Sequence, residues 1–127
     1  MFTKDFSGEA VAALVLKSQT ITTTTTGSAV NLSGYTGEFV LIAAVTKATA
    51  GTLPTCDVTI EDSADGSTDW TLIATVPQVT AAADVFLQDR LDMREVRKYI
   101  RAVATVGGTD TPTFALSVCM IGQKQNQ

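Results

Sequence analysis

Alternation of apolar and polar residues on either side of a short turn is the feature that most constrains this fold. In residues 56–76, CDVTIEDSADGSTDWTLIATV, apolar residues recur at every second position before the turn and again after it. A period of two is typical of β-strands with one buried face. Asp65-Gly66 lies between the two runs and suits the positive φ that a tight turn requires. The segment therefore predicts a β-hairpin.

The remaining apolar runs predict further short strands and no long helix. Glycine, proline and serine separate these runs, as expected of turns. Together with the hairpin they give about eight short strands, a spacing typical of an all-β fold, here an antiparallel β-sandwich that is jelly-roll-like. The predicted strands outside the hairpin are 16–26, 29–32, 38–48, 85–87, 98–106 and 113–121.

The chain is expected to form one domain with two appendages. Residues 1–15 are predicted to be an N-terminal arm with a short helix over 10–14, residues 16–122 the β-sandwich, and residues 123–127 a polar C-terminal tail. A helical turn is expected over 89–95. The predicted core comprises Phe39, Leu41, Val58, Ile60, Trp70, Leu72, Ile100, Ala102, Leu116 and Val118.

The charge balance disfavours nucleic acid and membrane as partners. The chain has 9 basic and 13 acidic residues, a net charge of -4 and a pI of about 4.6. Nucleic acids and anionic lipids both attract a basic surface. The apolar run AVAALVL over 10–16 is too short to cross a bilayer and lacks the basic flank and cleavage site of a signal peptide. We therefore expect mature sequence made in the cytoplasm.

The residues that enzymes use are missing from the sequence. It has no histidine, no G-x-S-x-G and no glycine-rich phosphate motif, so no activated nucleophile or nucleotide site is predicted. We expect no enzyme activity, cofactor, metal or small-molecule substrate. The acidic group around the hairpin turn, Glu61, Asp62, Asp65 and Asp69, leaves a calcium site as an alternative, although its spacing departs from a calcium-binding loop.

Two cysteines, Cys56 and Cys119, lie on separate predicted strands. We expect buried free thiols, with a disulfide between the strands as the alternative. Trp70 is the only tryptophan and shares a predicted strand face with Leu72 and Ala74. This placement favours core packing over a sugar-binding platform.

Two groups of residues are candidates for contact with a partner. Arg94, Arg97 and Arg101 form a basic cluster with Lys98 in a chain that has few basic residues. Such a cluster is either a solvated edge or a contact with an acidic partner or a neighbouring subunit. Phe2 and Phe6 in the arm are the second group, which either frays or docks on a partner.

Three segments of the chain resemble a known family. They are GSAVNLSGY (Gly27 to Tyr35), VTIEDSADGSTDWT (Val58 to Thr71) and KYIRAVATVGGT (Lys98 to Thr109). In this order they resemble the capsid decoration, or cement, proteins of tailed bacteriophages. The similarity extends over most of the chain from about residue 20 onward, and its motifs are structural.

The resemblance implies a structural role in a virus particle. A member of this family would coat the capsid exterior as a homotrimer, clamp neighbouring major capsid protein subunits, and be made in the host bacterial cytoplasm. No site residue transfers from the family to this chain. The alternatives are a phage tail or head–tail connector subunit and, from a different class, a carbohydrate-binding β-sandwich module.

Overall fold

The computed structural model describes residues 10–80 and 85–124. Across these residues all regular structure is β-strand and every strand pair is antiparallel, which confirms the all-β prediction. No helix among them is long and apolar enough to cross a membrane. The strands are β1 (Ala10–Ile21), β2 (Thr25–Thr26), β3 (Val30–Asn31), β4 (Tyr35–Ser63), β5 (Thr71–Thr75), β6 (Val85–Asp92) and β7 (Tyr99–Lys124).

The long strands β4 and β7 form one continuous ribbon. They pair from Tyr35↔Lys124 to Ser63↔Tyr99, and the register shifts repeatedly between Ala48 and Thr55. Gly51 and Gly108, both with positive φ, lie in this irregular region, one on each strand. Extra residues in one strand of a pair bend the ribbon. Each long strand therefore contributes one segment to each of two layers.

The two layers each contain four strand positions. The first layer has the order β1, residues 114–124 of β7, residues 35–48 of β4, and β6. The second has β2 with β3, residues 99–107 of β7, residues 55–63 of β4, and β5. These eight positions, with the two central ones shared through the ribbon, give the arrangement of a jelly roll. The structure therefore has the eight strand positions that the sequence predicted. They are built from seven strands, because β4 and β7 each fill two positions and β2 and β3 share one.

The inner faces of the two layers form the core. Alternate residues of the central strands are almost fully buried on both sides of the bend, including Val40 and Ile42 in one layer and Val58 and Ile60 in the other. An apolar sheet face needs a second layer to cover it. No helix in the described part of the chain provides one, so the layers bury each other. One contiguous cluster joins them.

Six of the ten expected core residues are buried: Val58, Ile60, Ile100, Ala102, Leu116 and Val118. The core prediction was wrong for Phe39 and Leu72, whose side chains are 44% and 56% exposed. Leu41 and Trp70 are only partly buried. In β4 the segment 39–42 is apolar at every position, so alternation gave no preference for one face. A register shift opposite Ile60 turns Leu72 outward in β5.

The short helix expected over residues 10–14 was also wrong. This segment opens β1, which pairs with β7 from Ala10↔Gln123 to Ile21↔Phe114. Val15 and Leu16 face the core while Leu14 faces outward. Residues 10–15, which the sequence assigned to the arm, thus belong to the sheet. The helical turn expected over 89–95 was wrong as well: β6 continues to Asp92, and a single hydrogen-bonded turn follows, in which the Glu95 N–H donates to the Asp92 carbonyl (3.0 Å).

The bend gives the sandwich two distinct ends. The bend end contains the irregular ribbon region and the connections after β1 and β5. The terminal end contains Ala10, Lys124 and the loops 32–34, 64–70 and 93–98. The three candidate arginines lie at or near the terminal end, where β1 also begins. Phe2 and Phe6 lie outside the described residues.

Candidate interaction surfaces

The hairpin loop at the terminal end is organised by Ser63 and Asp65. The Asp65 carboxylate accepts hydrogen bonds from the backbone N–H groups of Ser67 (2.9 Å) and Thr68 (2.8 Å) and from the Thr68 hydroxyl (2.7 Å). The Ser63 hydroxyl donates to the Thr68 carbonyl at 2.6 Å and accepts from the Gly66 N–H at 3.1 Å. The predicted hairpin is confirmed, but the connection between its strands is a loop over residues 64–70 and not a tight turn at Asp65-Gly66.

Hydrogen bonds lower the pKa of Asp65. The largest contribution comes from the Ser67 N–H, followed by the Thr68 N–H and the Thr68 hydroxyl, and each favours the charged carboxylate. Gly66 has a φ of +79°, and a Cβ there would meet the ring of Tyr99 at 3.0 Å. Glycine is therefore needed at this position both for its backbone angle and for the close approach of Tyr99.

Arg97 joins the hairpin to the loop before β7. Its guanidinium donates to the carboxylate of Asp62 at 2.9 and 3.0 Å, to the Asp62 carbonyl at 2.7 Å and to the Asp69 carbonyl at 2.7 Å. Its backbone N–H donates to the other Asp62 carboxylate oxygen at 2.9 Å. The Asp62 side chain is only 4% exposed. Arg97 therefore provides the partner that a buried carboxylate requires.

Arg101 is engaged on the outer face of the second layer. Its Nε donates to Glu61 Oε1 at 2.8 Å, and its guanidinium lies 4.2 Å from the centroid of the Trp70 ring. The ring and the cation attract each other in this arrangement. Trp70 is thus partly buried beneath the Arg101 guanidinium. It is neither packed in the core nor an open platform for sugar, the two roles considered from the sequence.

Arg94 differs from the other two arginines because it remains accessible. Its side chain is 79% exposed and forms an ion pair with Asp92 at 2.9 Å. This hydrogen-bonded pair lowers the pKa of Asp92 and raises that of Arg94. The sequence placed the three arginines in one cluster, but the structure gives them separate surroundings. Of the three, Arg94 is the most available to a partner.

Two shallow cavities lie near Arg94. One, of about 310 Å³, is lined by Phe39, Arg90, Asp92 and Arg94, and the Arg90 guanidinium lies 5.0 Å from the Phe39 ring centroid. The other is an open groove of about 400 Å³ between the edge strands β5 and β6, with Ile73, Ala74, Leu91 and Val96 in its wall. The first cavity is lined mainly by charged side chains, and the second combines apolar residues with Arg90, Asp92 and Glu95.

Three of the four acidic residues around the hairpin already have protein partners for their side chains. Glu61 pairs with Arg101, Asp62 with Arg97, and the Asp65 carboxylate accepts from its own loop. Over residues 10–80 and 85–124 no group of three or more metal-ligating side chains is positioned to hold an ion. The arrangement gives no support to the calcium alternative.

The two cysteines are free thiols, one buried and one partly exposed. Cys56 is fully buried in the core, and burial, followed by the charge of Asp57, raises its pKa to about 11. The Thr46 hydroxyl, which is also buried, acts in the opposite direction and lowers this pKa. Cys119 is partly exposed and faces outward from β7.

The outer face of the first layer is a surface that sequence reasoning missed. It contains several exposed or partly exposed apolar side chains. Among them Leu14, Phe39 and Val45 are 58%, 44% and 43% exposed. The signal was present in β4, where apolar residues occupy consecutive positions over 39–45. Such a run indicates a strand whose two faces are both covered.

Comparison with known proteins gives similarity at the level of fold. No protein-family model matches the sequence, and no curated protein is significantly similar to it. Among solved structures, the PBSX exported protein XepA superposes with a TM-score of 0.60 at 17% identity, covering 92% of this chain and 38% of that one. The infectious bursal disease virus T13 particle protein gives 0.60 at 12% identity, covering 91% and 31%.

A third similar structure belongs to a different class. The C-terminal family 22 carbohydrate-binding module of Clostridium thermocellum Xyn10B superposes with a TM-score of 0.55 at 14% identity, covering 94% of this chain and 88% of the module. This chain spans about a third of the length of the first two proteins, whereas it matches nearly all of the module. The shared property is therefore the β-sandwich fold, found in proteins of virus particles and in sugar-binding modules alike.

Proposed function

We propose that this protein is a structural component of a tailed-phage particle, specifically a decoration protein on the capsid exterior. The observation that carries the proposal is the β-sandwich, which the spacing of the predicted strands anticipated and which is similar in fold to a protein of a virus particle. In this proposal the protein is made in the bacterial cytoplasm, assembles as a homotrimer and clamps neighbouring major capsid protein subunits.

The chemistry of the described surface supports a binding role. Glu61, Asp62 and Asp65 are committed to contacts within the chain, so they serve stability. Decoration requires complementary area repeated by symmetry and no chemical step. Weak contacts made by each subunit of a trimer add up because the second and third contacts form at a high effective concentration.

We propose the terminal end as the surface that meets the capsid. Arg94 is exposed there, and β1 begins there, so residues 1–9 with Phe2 and Phe6 continue from the same end. Arg97 and Arg101 support this surface indirectly, since their side chains hold the hairpin and the outer face of the second layer in place.

Co-sedimentation with capsids tests this function. Purified protein is mixed with mature capsids of the encoding phage from which it has been removed. We expect saturable binding at a fixed ratio to the major capsid protein and a higher rupture temperature of the capsid. Absence of binding to mature capsids would refute decoration, and binding to isolated tails would favour the tail or connector alternative.

Two variants sharpen the test of the terminal end. Deletion of residues 1–9 and the substitution Arg94→Ala are each expected to weaken capsid binding several-fold while leaving the sandwich folded. The deletion stops at residue 9 because residues 10–15 belong to β1. Lys47→Ala, at an exposed position beside the bend, is the matched control and should bind like the unmodified chain. Equal binding by all four proteins would remove the terminal end from the proposal.

The carbohydrate-binding alternative rests on a specific observation, the extent of the match to the family 22 module. The groove between β5 and β6 is the described cavity that best fits an extended sugar chain. Fluorescence of Trp70, together with calorimetry against xylan oligosaccharides, tests it. Saturable heat or a fluorescence shift would support this alternative, and the absence of both would leave the structural role as the better explanation.

A further inference from the structure

The hairpin loop over residues 64–70 contains a pair of residues that is chemically labile. Asp65-Gly66 is the only Asp-Gly pair in the sequence, which has no Asn-Gly pair. Such a pair is open to a spontaneous rearrangement of the main chain, because glycine has no side chain to shield its amide nitrogen. Asp65 is exposed and Gly66 is only partly buried, so solvent water reaches both residues.

The rearrangement has two steps and needs no reactant other than water. In the first, the Gly66 nitrogen forms a bond to Cγ of the protonated Asp65 carboxyl group. One carboxyl oxygen leaves as water, carrying the acid proton and the proton of the Gly66 N–H. In the second, water opens the resulting five-membered imide. Cleavage at Cγ restores aspartate, and cleavage at the Asp65 backbone carbonyl carbon gives isoaspartate, whose main chain runs through the side chain.

In the folded protein the Asp65 carboxylate is held in its ionised form. Oδ1 accepts from the backbone N–H groups of Ser67 and Thr68 at 2.9 and 2.8 Å, and Oδ2 accepts from the Thr68 hydroxyl at 2.7 Å. Donors of this kind favour the charge and lower the pKa of Asp65. The first step needs the protonated group, so these hydrogen bonds oppose it.

The attacking nitrogen is held as well. The Gly66 N–H donates to the Ser63 hydroxyl at 3.1 Å, and this hydroxyl donates to the Thr68 carbonyl at 2.6 Å. Ser63 is fully buried, so the acceptor has a fixed position beneath the loop. Ring closure must release the Gly66 proton and therefore break this hydrogen bond. Both reacting groups are thus engaged with other parts of the same loop.

We propose that Asp65-Gly66 is a latent site of isoaspartate formation, and that the side chains of Ser63 and Thr68 preserve the aspartate form in the folded protein. Both act as positioning residues, since neither is chemically changed. Isoaspartate adds one atom to the main chain of a loop whose Asp69 carbonyl accepts from Arg97 at 2.7 Å. The modification therefore disturbs the loop that Arg97 joins to β7. Nothing in this chemistry depends on the proposed function.

Incubation of the full chain in warm, neutral buffer tests the proposal. Isoaspartate at residue 65 is measured over time with an isoaspartyl methyltransferase, and fragmentation of the digested chain in a mass spectrometer locates it. The reference is the same chain unfolded in guanidinium chloride, in which the hydrogen bonds of the loop are absent. The folded chain should form isoaspartate at least tenfold more slowly than this reference.

Two variants remove the protecting side chains one at a time. Ser63→Ala removes the acceptor of the Gly66 N–H, and Thr68→Val removes the hydroxyl that binds Oδ2 while keeping the shape of the side chain. Each should raise the rate in the folded protein at least threefold. Ser67→Ala is the matched control and should leave the rate unchanged, because Ser67 binds Asp65 through its backbone N–H, which alanine retains.

A further variant distinguishes local protection from a general loss of stability. Val118→Ala truncates a fully buried side chain in the first layer and lowers the stability of the whole fold without altering the loop. Its rate should stay close to that of the unmodified chain. Far-ultraviolet circular dichroism establishes that each variant is folded during the incubation.

Three outcomes overturn the proposal. Absence of isoaspartate at residue 65 in the unfolded chain would mean that the pair is not a modification site. Equal rates in the folded and unfolded chains would mean that the loop gives no protection. If Ser63→Ala and Thr68→Val are no faster than Ser67→Ala, or no faster than Val118→Ala, the protection does not come from these two side chains. None of these outcomes involves capsid binding, so this proposal and the proposed function can fail separately.

Discussion

The two layers have equivalent inner faces and contrasting outer faces. On the outer face of the second layer, polar side chains are paired within the chain: Glu61 with Arg101, and Asp57 with Gln78 at 3.1 Å. The outer face of the first layer has Leu14, Val45 and Cys119, with Arg90 over the Phe39 ring on the edge strand, whereas the exposed large apolar residue of the second layer is Leu72. The inner faces account for the fold, since both must be apolar for the sandwich to form. The outer faces are free of that requirement, so their composition can differ between the layers.

The strongest test of this contrast is the loss of Arg97, which should destabilise the second layer. Arg97→Ala leaves the Asp62 carboxylate buried without its cation and should lower the free energy of unfolding by about 3 kcal/mol. Urea denaturation measures this change. Arg94→Ala is the control, since its exposed ion pair with Asp92 should contribute nothing measurable. If both substitutions lower the free energy of unfolding by a similarly small amount, Arg97 does not stabilise the hairpin.

A smaller effect is expected for the pair on the outer face of the second layer. Arg101→Ala removes a partly exposed ion pair and the contact with Trp70, and should cost about 1 kcal/mol of unfolding free energy. A double-mutant cycle with Glu61→Ala separates the two contributions. If Arg101→Ala has the same effect with or without Glu61, the ion pair contributes nothing and the stacking on Trp70 accounts for the loss.

The smallest expected effect is the acid sensitivity of the hairpin loop. The pKa of Asp65 is lowered in the folded protein below its unfolded value of about 3.9. Its contribution to stability is therefore present above about pH 4 and is lost as the pH falls through the folded pKa. Asp65→Asn should be less stable than the unmodified protein at pH 7, and the gap should narrow below pH 4. Urea denaturation between pH 2 and pH 7 measures the gap, and a constant gap would mean that the charge of Asp65 has no role.

Much of the architecture follows from alternation in the sequence. The hairpin over 56–76 and the buried residues Ile100 and Ala102 were predicted because apolar positions recur with a period of two and large polar residues mark the other face. The prediction failed where both faces are apolar. Phe39 and Leu41 could not be distinguished from Val40 and Ile42 by pattern, since only the pairing register decides which set faces inward.

The candidate surface was harder to predict than the fold. Arg94, Arg97 and Arg101 are close in sequence, and nothing local shows that Arg97 reaches Asp62 or that Arg101 covers Trp70. These contacts arise because β4 and β7 pair over a long separation in sequence. The apolar outer face of the first layer likewise combines residues from β1, β4 and β7, so no single stretch of the chain displays it.

The bent ribbon has a consequence for how the chain reaches its folded state. Residues 64–98 separate the paired ends of β4 and β7, and β7 occupies a central position in both layers. Both layers have β7 next to β4 at their centre, so neither layer is complete until β7 pairs with β4. Contacts this distant in sequence make folding slow compared with that of helical proteins of similar size. Until that pairing is complete, the apolar faces of both layers are exposed together, and this is the stage at which the chain is most prone to aggregate.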